Sequence, residues 1–549
     1  MRVPGLLLLF SLVGSLAAGL GACEGCKPTT STQTPNGAIE GPPTARLYLV
    51  SDLAGALEPC GCVKDQLGGM DHFGALVSQE KAKVPAFATL SAGPLFFMDA
   101  DIAEEKKNQE VQKAETIARS MKAVGLAGFA PSRNGWAAGG DTLAKLASES
   151  GAPMLAANVA GAPAPAKTAI KEIGGLKIGL VGVAAPDKAE KVKKPLEGVT
   201  SSAAAEAVKA ATATLTKEGA QAIVVLAAVG RGEAKRIADD NPNVLAILVG
   251  STAASGDVNT KPPPVERIGD VLIVETANHL QTVAVVDLYV RDAPKTGLVK
   301  FADGTGVERA RKREELSARI DELRTKIATW ETDKSVAKAD VDARKADLAK
   351  LESEREALDK APPAATGSFY RYAMHEIREK LGADDAVKAQ MLAYYKKVND
   401  ANKEAFKDKK PAPVPKGEAG YIGVELCTNC HEDAKKVWDA TSHAHAYATL
   451  EKQFKEANLD CVSCHVTGYD KPGGSTVTHV SDLKDVQCEV CHGPGSLHAQ
   501  KPEKVKMPTP KPTPESCIEC HHPPHVHTFD AKVKMADILG PGHGKPKDK

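Results

Sequence analysis

Four copies of Cys-x-x-Cys-His stand in one C-terminal stretch: Cys427-Thr428-Asn429-Cys430-His431, Cys461-Val462-Ser463-Cys464-His465, Cys488-Glu489-Val490-Cys491-His492 and Cys517-Ile518-Glu519-Cys520-His521. Two thiols one short turn apart can each add across a vinyl group of one haem. The histidine that follows then lies under the iron as its proximal ligand. One copy alone would suit a zinc or thiol-redox site equally well. Four copies, every one followed by His, predict four covalently bound c-type haems. The attachment thiols are then Cys427, Cys430, Cys461, Cys464, Cys488, Cys491, Cys517 and Cys520, and the proximal nitrogens belong to His431, His465, His492 and His521. Irons that only carry electrons usually take a second axial ligand. Seven further histidines are at hand: His443, His445, His479, His498, His522, His525 and His527.

Such groups need elements to hold them, and 549 residues are enough for several domains. Lys plus Arg and Asp plus Glu both number 70, so nothing points to nucleic acid or to a strongly charged partner. Of the 12 cysteines, four lie outside the haem motifs: Cys23, Cys26, Cys60 and Cys62. Arg2 followed by an apolar run from Leu6 reads as an export signal over residues 1–22. Leu20-Gly21-Ala22-Cys23 resembles a bacterial lipobox, which implies cleavage before Cys23 and a lipid anchor on it. An ordinary signal peptide with a chance Cys is the alternative. Residues 23–43, rich in Thr, Pro, Gly and Ser, read as a flexible tether.

From residue 44 to 292 short β-branched runs alternate with Ala-rich amphipathic stretches, which predicts an α/β layered domain. Expected strands are 46–50, 86–90, 178–183, 222–229, 244–249, 271–275 and 282–290; expected helices are 104–124, 142–150 and 203–217. Ser51-Asp52-Leu53-Ala54-Gly55, Ser91-Ala92-Gly93-Pro94, Arg133-Asn134-Gly135-Trp136, Ala156-Ala157-Asn158-Val159 and Gly250-Ser251-Thr252-Ala253 punctuate it. In these turns the segment resembles the calcineurin-like metallophosphatases, in particular the N-terminal domain of the 5′-nucleotidase family. The resemblance implies a two-metal hydrolase site, yet Ala54, Pro94, Gly135, Ala228, Ser251 and Ala253 stand where that family needs ligands. Only Asp52 and Asn134 survive, and neither His72 nor His279 falls on a ligand position. The expectation is a phosphatase fold without its metals. Cys60-Gly61-Cys62 could form a disulfide, bind a soft metal or be inert.

Residues 305–361 carry a heptad-like stripe, Leu316, Ile320, Leu323, Ile327 and Trp330, in a highly charged background. Either a coiled-coil helix or a helical hairpin turning near 331–335 would satisfy it. Residues 362–419 read as a helical linker, with helix over 369–406 and His375 as a plain helix residue.

The last domain, 420–530, opens at Gly420-Tyr421-Ile422-Gly423, and 531–549 reads as a tail. Tyr421 to Cys427, Trp438, Thr441-Ser442-His443-Ala444, the run from Cys461 to Tyr469 and the run from Val486 to His498 resemble cytochrome c-554-type tetrahaem domains. That resemblance implies a mostly α-helical, loop-rich multihaem fold, with few buried aliphatics, that passes electrons. It favours His443 and His498 as distal ligands; of the remaining histidines, His479 and one of His525 or His527, here His527, are the next choices. That family keeps one haem five-coordinate, which leaves room for an open iron here. The functional expectation is a lipid-anchored tetrahaem cytochrome of the bacterial periplasm or outer membrane, exchanging electrons with redox proteins or a quinol oxidoreductase of the envelope. The alternatives are a multihaem oxidoreductase acting on a small nitrogen or sulfur species, and a 5′-nucleotidase-like hydrolase with an unusual metal site.

Overall fold

Alternating burial along the strands builds the larger part of the molecule from two facing sheets. The computed structural model describes residues 41–546 apart from 60–65, 191, 255, 257, 295, 333–335, 361–366, 523–525 and 527–528. The signal and Cys23, most of the tether, Cys60, Cys62, His525 and His527 lie outside the described residues. The elements begin with β1 (Ala45–Ser51), α1 (Met70–Lys81), β2 (Phe87–Gly93), α2 (Lys107–Ala123), β3 (Leu126–Pro131), α3 (Gly140–Ser150), β4 (Val159–Ala160), β5 (Thr168–Ile173) and β6 (Leu176–Ala184). They continue with β7 (Thr200–Ser201), α4 (Ala204–Lys217), β8 (Ala222–Ala228), α5 (Arg231–Asp240), β9 (Ala246–Gly250), β10 (Glu266–Ile268), β11 (Val271–Val274), β12 (Thr282–Tyr289) and β13 (Ala302–Asp303). Then come α6 (Val307–Thr332), α7 (Lys338–Lys360), β14 (Phe369–Glu376) and α8 (Asp385–Ala405).

One sheet has the order β13-β14-β12-β1-β2-β3 and the other β10-β11-β9-β8-β6-β5. Successive side chains on a strand point to opposite faces. Leu47 and Leu49 of β1 therefore meet Leu180, Leu226 and Leu248 between the sheets. Tyr48 and Val50 face the other way, onto Phe73 of α1 and Ile117 of α2. In β8, Ile223 and Val225 turn outward onto Val208, Leu215 and Ile237 of α4 and α5. The result is four layers, helix on sheet on sheet on helix. All seven expected strands and all three expected helices fall on elements of this sandwich.

Two parts of the spacer differ in kind. Residues 307–360 fold as two helices, α6 and α7, joined by Arg324–Glu352 and Glu331–Lys345 ion pairs, each 2.6 Å long. Those pairs set the helices antiparallel, so the hairpin and not one continuous helix is formed. Ile320 and Ile327 of the stripe are its buried residues, with Val341 opposite on α7.

Residues 369–376, expected as helix, form strand β14. It pairs antiparallel with β12 over its full length, from Phe369↔Tyr289 to Glu376↔Thr282. Phe369 and Tyr370 are β-formers, and burial against the sheet outweighs any helical tendency. His375 consequently sits on a strand. Asp384 then caps α8, its carboxylate accepting from Ala386 N–H at 3.1 Å and Val387 N–H at 3.0 Å. Met391, Tyr394 and Val398 of α8 join the core formed by α1 and α2. The stretch 362–419 is therefore no helical linker: it supplies a strand and a helix to the sandwich.

The C-terminal part is loop-rich, with helices of four to eight residues such as Val424–Thr428, Glu432–Asp439, Cys488–His492 and Ala531–Lys534. Its apolar cluster is small: Tyr447, Ala457, Leu459, Val462, Val466, Val477 and Val480. No helix among the described residues is long and apolar enough to cross a membrane.

Candidate haem centres

The strand ends of the sandwich carry the turns in which the sequence places a degenerate metal site. Asp52 follows β1 with a left-handed φ of 45°. It is half-buried, and its Oδ1 accepts the Ser251 N–H at 2.9 Å. A Cβ on Gly93 would collide with that carboxylate, so only glycine fits opposite it. Asn134 is saturated by backbone: Nδ2 donates to the carbonyls of Phe97, Met98 and Ala254 at 2.9–3.2 Å, and Oδ1 accepts Ala254 N–H at 3.0 Å. Both residues thus hold loops in place. His279 is buried, with Nδ1 3.0 Å from Asn259 Oδ1, and His72 reaches the Gly382 carbonyl at 2.5 Å.

Desolvation pushes the Asp52 carboxyl up from 3.8 to about 7. The folded state therefore holds that proton more tightly than the unfolded chain does. The stability it contributes is complete below about pH 4 and is lost as the pH rises through 7. Asp52→Asn keeps the Oδ1 acceptor. It should be more stable than the parent above pH 7, by up to about 4 kcal/mol, and lose that advantage near pH 4. Urea melts at the two pH values check this.

In the C-terminal part three of the four motif histidines each face another histidine. Ring centroids are 6.3 Å apart for His431 and His498, 6.1 Å for His521 and His443, and 6.3 Å for His492 and His543. An imidazole nitrogen sits ~2 Å from a bound transition metal, with the ring centre about an ångström further out. Two rings on opposite sides of one metal ion therefore have centres about 6 Å apart, so the residues present fit an iron held between them.

The second ring nitrogens support this. Nδ1 of His492 lies 2.9 Å from the Thr509 carbonyl, Nδ1 of His498 is 2.6 Å from that of Val505, and Nδ1 of His543 is 2.9 Å from that of Ile538. A carbonyl only accepts, so Nδ1 carries the proton and Nε2 keeps its lone pair for a metal. Burial also holds His443, His492 and His521 below the usual histidine pKa, which favours the neutral ligand form. Phe529 stacks on His521 at 4.3 Å and fixes its plane.

His465 is oriented in the same way, with Nδ1 2.6 Å from the Ala446 carbonyl, but it faces no histidine among the described residues. His479 is in none of the three pairs; its Nδ1 is 3.2 Å from Thr478 Oγ1. His445 directs Nε2 to the Asp439 carbonyl at 3.2 Å. His543 is the ligand candidate that sequence reasoning missed, because 531–549 read as a tail. Counting every histidine after the last motif would have raised it.

Thiols of different motifs also meet. Cys427 hydrogen-bonds Cys488, which pushes the first thiol up and the second down. Cys464 hydrogen-bonds Cys520, which draws Cys464 down to about 6. Burial pushes the Cys491 thiol up, and the neighbouring Cys517 adds to this. The motifs therefore adjoin in the order first, third, fourth, second. Glu489, inside the third motif and 1% exposed, ties this layout together: it accepts N–H groups of Ile422, Gly423 and Gly495 at 2.8–3.1 Å.

Residues 426–493 match the family model described as cytochrome c554 and c-prime, so a cytochrome c554-type segment lies inside this longer chain. A curated relative, the cytochrome c-554 of Nitrosomonas europaea, is 33% identical over 94 residues, covering 14% of this chain and 40% of the relative. Among solved structures, a 5′-nucleotidase precursor from Thermus thermophilus is similar at 18% identity and a TM-score of 0.42, over 67% of this chain and 61% of that one. The sulfate thiohydrolase SoxB of Thermus thermophilus, in complex with glycerol, is similar at 19% identity and a TM-score of 0.38, over 46% and 55%. The chain thus spans two fifths of the curated cytochrome and less than two thirds of either structure.

Proposed function

We propose that this chain is a tetrahaem c-type cytochrome that carries electrons between redox partners, and that its α/β domain no longer hydrolyses phosphate esters. The observation that carries the reading is the facing of His431, His492 and His521 by His498, His543 and His443 across 6.1–6.3 Å. Each bound haem supplies one reversible one-electron centre. The chain's own residues do the rest. The cysteine pairs fix the attachment points. The Nδ1–carbonyl hydrogen bonds hold the rings in place and raise their basicity. The adjacency of the motifs, first to third to fourth to second, gives the electrons a continuous route.

A second reading concerns His465, which faces no histidine among the described residues. An iron there with an open position would bind a small ligand, and oxidoreductase chemistry on a small nitrogen or sulfur species would follow from it. The hydrolase alternative draws little from Asn134, both of whose polar atoms are engaged by backbone, and from Asp52, whose Oδ1 accepts the Ser251 N–H. A lipid anchor on Cys23, a periplasmic or outer-membrane location, and redox proteins or a quinol oxidoreductase as partners complete the proposal. They rest on Leu20-Gly21-Ala22-Cys23 and on the export that covalent haem attachment accompanies.

Protein matured in a host with a cytochrome c maturation system tests this. Its mass should include four haem increments, and EPR should show at least three low-spin centres. Carbon monoxide uptake should not exceed one equivalent. A mass lacking the increments overturns the reading. Paired metal in stoichiometric amount, with turnover of nucleotide esters by the full chain, would restore the hydrolase.

A further inference from the structure

The segment leading into the second motif is buried against the α/β domain. Lys455, Ala457, Asn458 and Leu459 are each no more than 8% exposed. Gln109 of α2 sits at the centre of the contact. Its Oε1 accepts Leu459 N–H at 3.0 Å and Asn402 Nδ2 at 2.9 Å. Its Nε2 donates to Asn458 Oδ1 at 3.3 Å and Asp460 Oδ2 at 3.1 Å. Asn399 and Asn402 of α8 close the network on the N–H and carbonyl of Ala457, both at 2.9 Å. A buried polar network with its partners in place permits one arrangement and penalises others.

Charge is arranged as tightly. Asp460, the residue before Cys461, is held between Lys106 at 2.8 Å and Lys113 at 3.2 Å, both from the α2 end of the sandwich. Lys113 also pairs with Glu110 at 2.9 Å. Lys455 reaches Glu58, beyond β1, and lies over the Tyr395 ring at 4.3 Å. Cations and anions balance at this contact. A haem's potential follows the charge, burial and hydrogen bonding around it, and charges in such a setting are weakly screened.

Resting on the reading of Cys461–His465 as a haem attachment site, we propose that the α/β domain positions the second motif and sets the potential of its haem. Gln109 and the α8 asparagines fix the segment, and Lys113 with Lys106 neutralises Asp460. Without those cations the Asp460 carboxylate would favour the ferric over the ferrous state. Lys113 and Gln109 are thus positioning residues for electron transfer.

The test is a redox titration of the full haem-loaded chain, followed optically and by EPR. His465→Met identifies the signal of the second-motif haem. Lys113→Met should lower the potential of that haem and leave the other three unchanged. Lys113→Met combined with Asp460→Asn should return it toward the parental value, which loss of packing would not do. If Lys113→Met does not accumulate, Lys106→Met, which removes a more exposed cation from the same carboxylate, should give a shift of the same sign. An unmoved potential, an equal shift at all four haems, or no recovery in the double variant overturns the inference. A parent chain with no haem on Cys461 and Cys464 overturns both this inference and the reading beneath it, whereas a loaded chain with an unmoved potential overturns only this one.

Discussion

His543→Ala should open the iron of the third motif. The variant removes the ring that faces His492 at 6.3 Å and leaves the Cys488 and Cys491 attachment intact. One haem should pass from low spin to high spin, and carbon monoxide uptake should rise by one equivalent over the parent. His543→Met should instead keep that haem low-spin and raise its potential, since a thioether in place of a second imidazole favours the reduced iron. His445→Ala is the control: its Nε2 already serves the Asp439 carbonyl, and its spectrum should match the parent. An unchanged spectrum in His543→Ala would remove that residue from the ligand set.

The second large effect is expected at Glu489. Its carboxylate accepts three backbone N–H groups, from Ile422, Gly423 and Gly495, in a place sealed from water. Each buried N–H left without an acceptor costs ~1–3 kcal/mol. Glu489→Ala should therefore destabilise the C-terminal part by at least about 3 kcal/mol. Glu489→Gln keeps one acceptor oxygen and should lose markedly less. Denaturant unfolding followed by Soret absorbance measures both. A loss under about 1 kcal/mol for the alanine variant would mean that Glu489 does not hold the first and third motifs together.

What could be read from the chain, and what could not, follows the range of the interactions. The β8 run Ala222-Ile223-Val224-Val225-Leu226 is buried on both faces, and its β-branched content alone announces a central strand. The haem motifs are equally local, since two thiols and one imidazole within five residues define each one. Phe369–Glu376 was harder. Its Phe-Tyr-Arg-Tyr start suits a strand, but the partner that makes it one, β12, lies across the whole α6–α7 hairpin. The facing histidines show the same limit. His498 follows the third motif closely yet faces His431 of the first, and His543 lies beyond the last motif altogether. No spacing rule encodes such pairings, because they are set by how the loops fold over one another. Ala54, Pro94 and Gly135 were legible as departures from the ligand pattern that the resemblance implies. That Asp52 and Asn134 had become loop fasteners was not.

The late arrival of β14 has a consequence for anyone who would divide the molecule. A fragment stopped at residue 292 looks like a complete sandwich on paper. It would leave the eight residues of β12 without their outer neighbour, baring a row of backbone donors and acceptors that recruits strands from other chains. It would also uncover the apolar side of α1 and α2 where Met391 and Tyr394 belong. Such a piece is a seed for aggregation rather than a module.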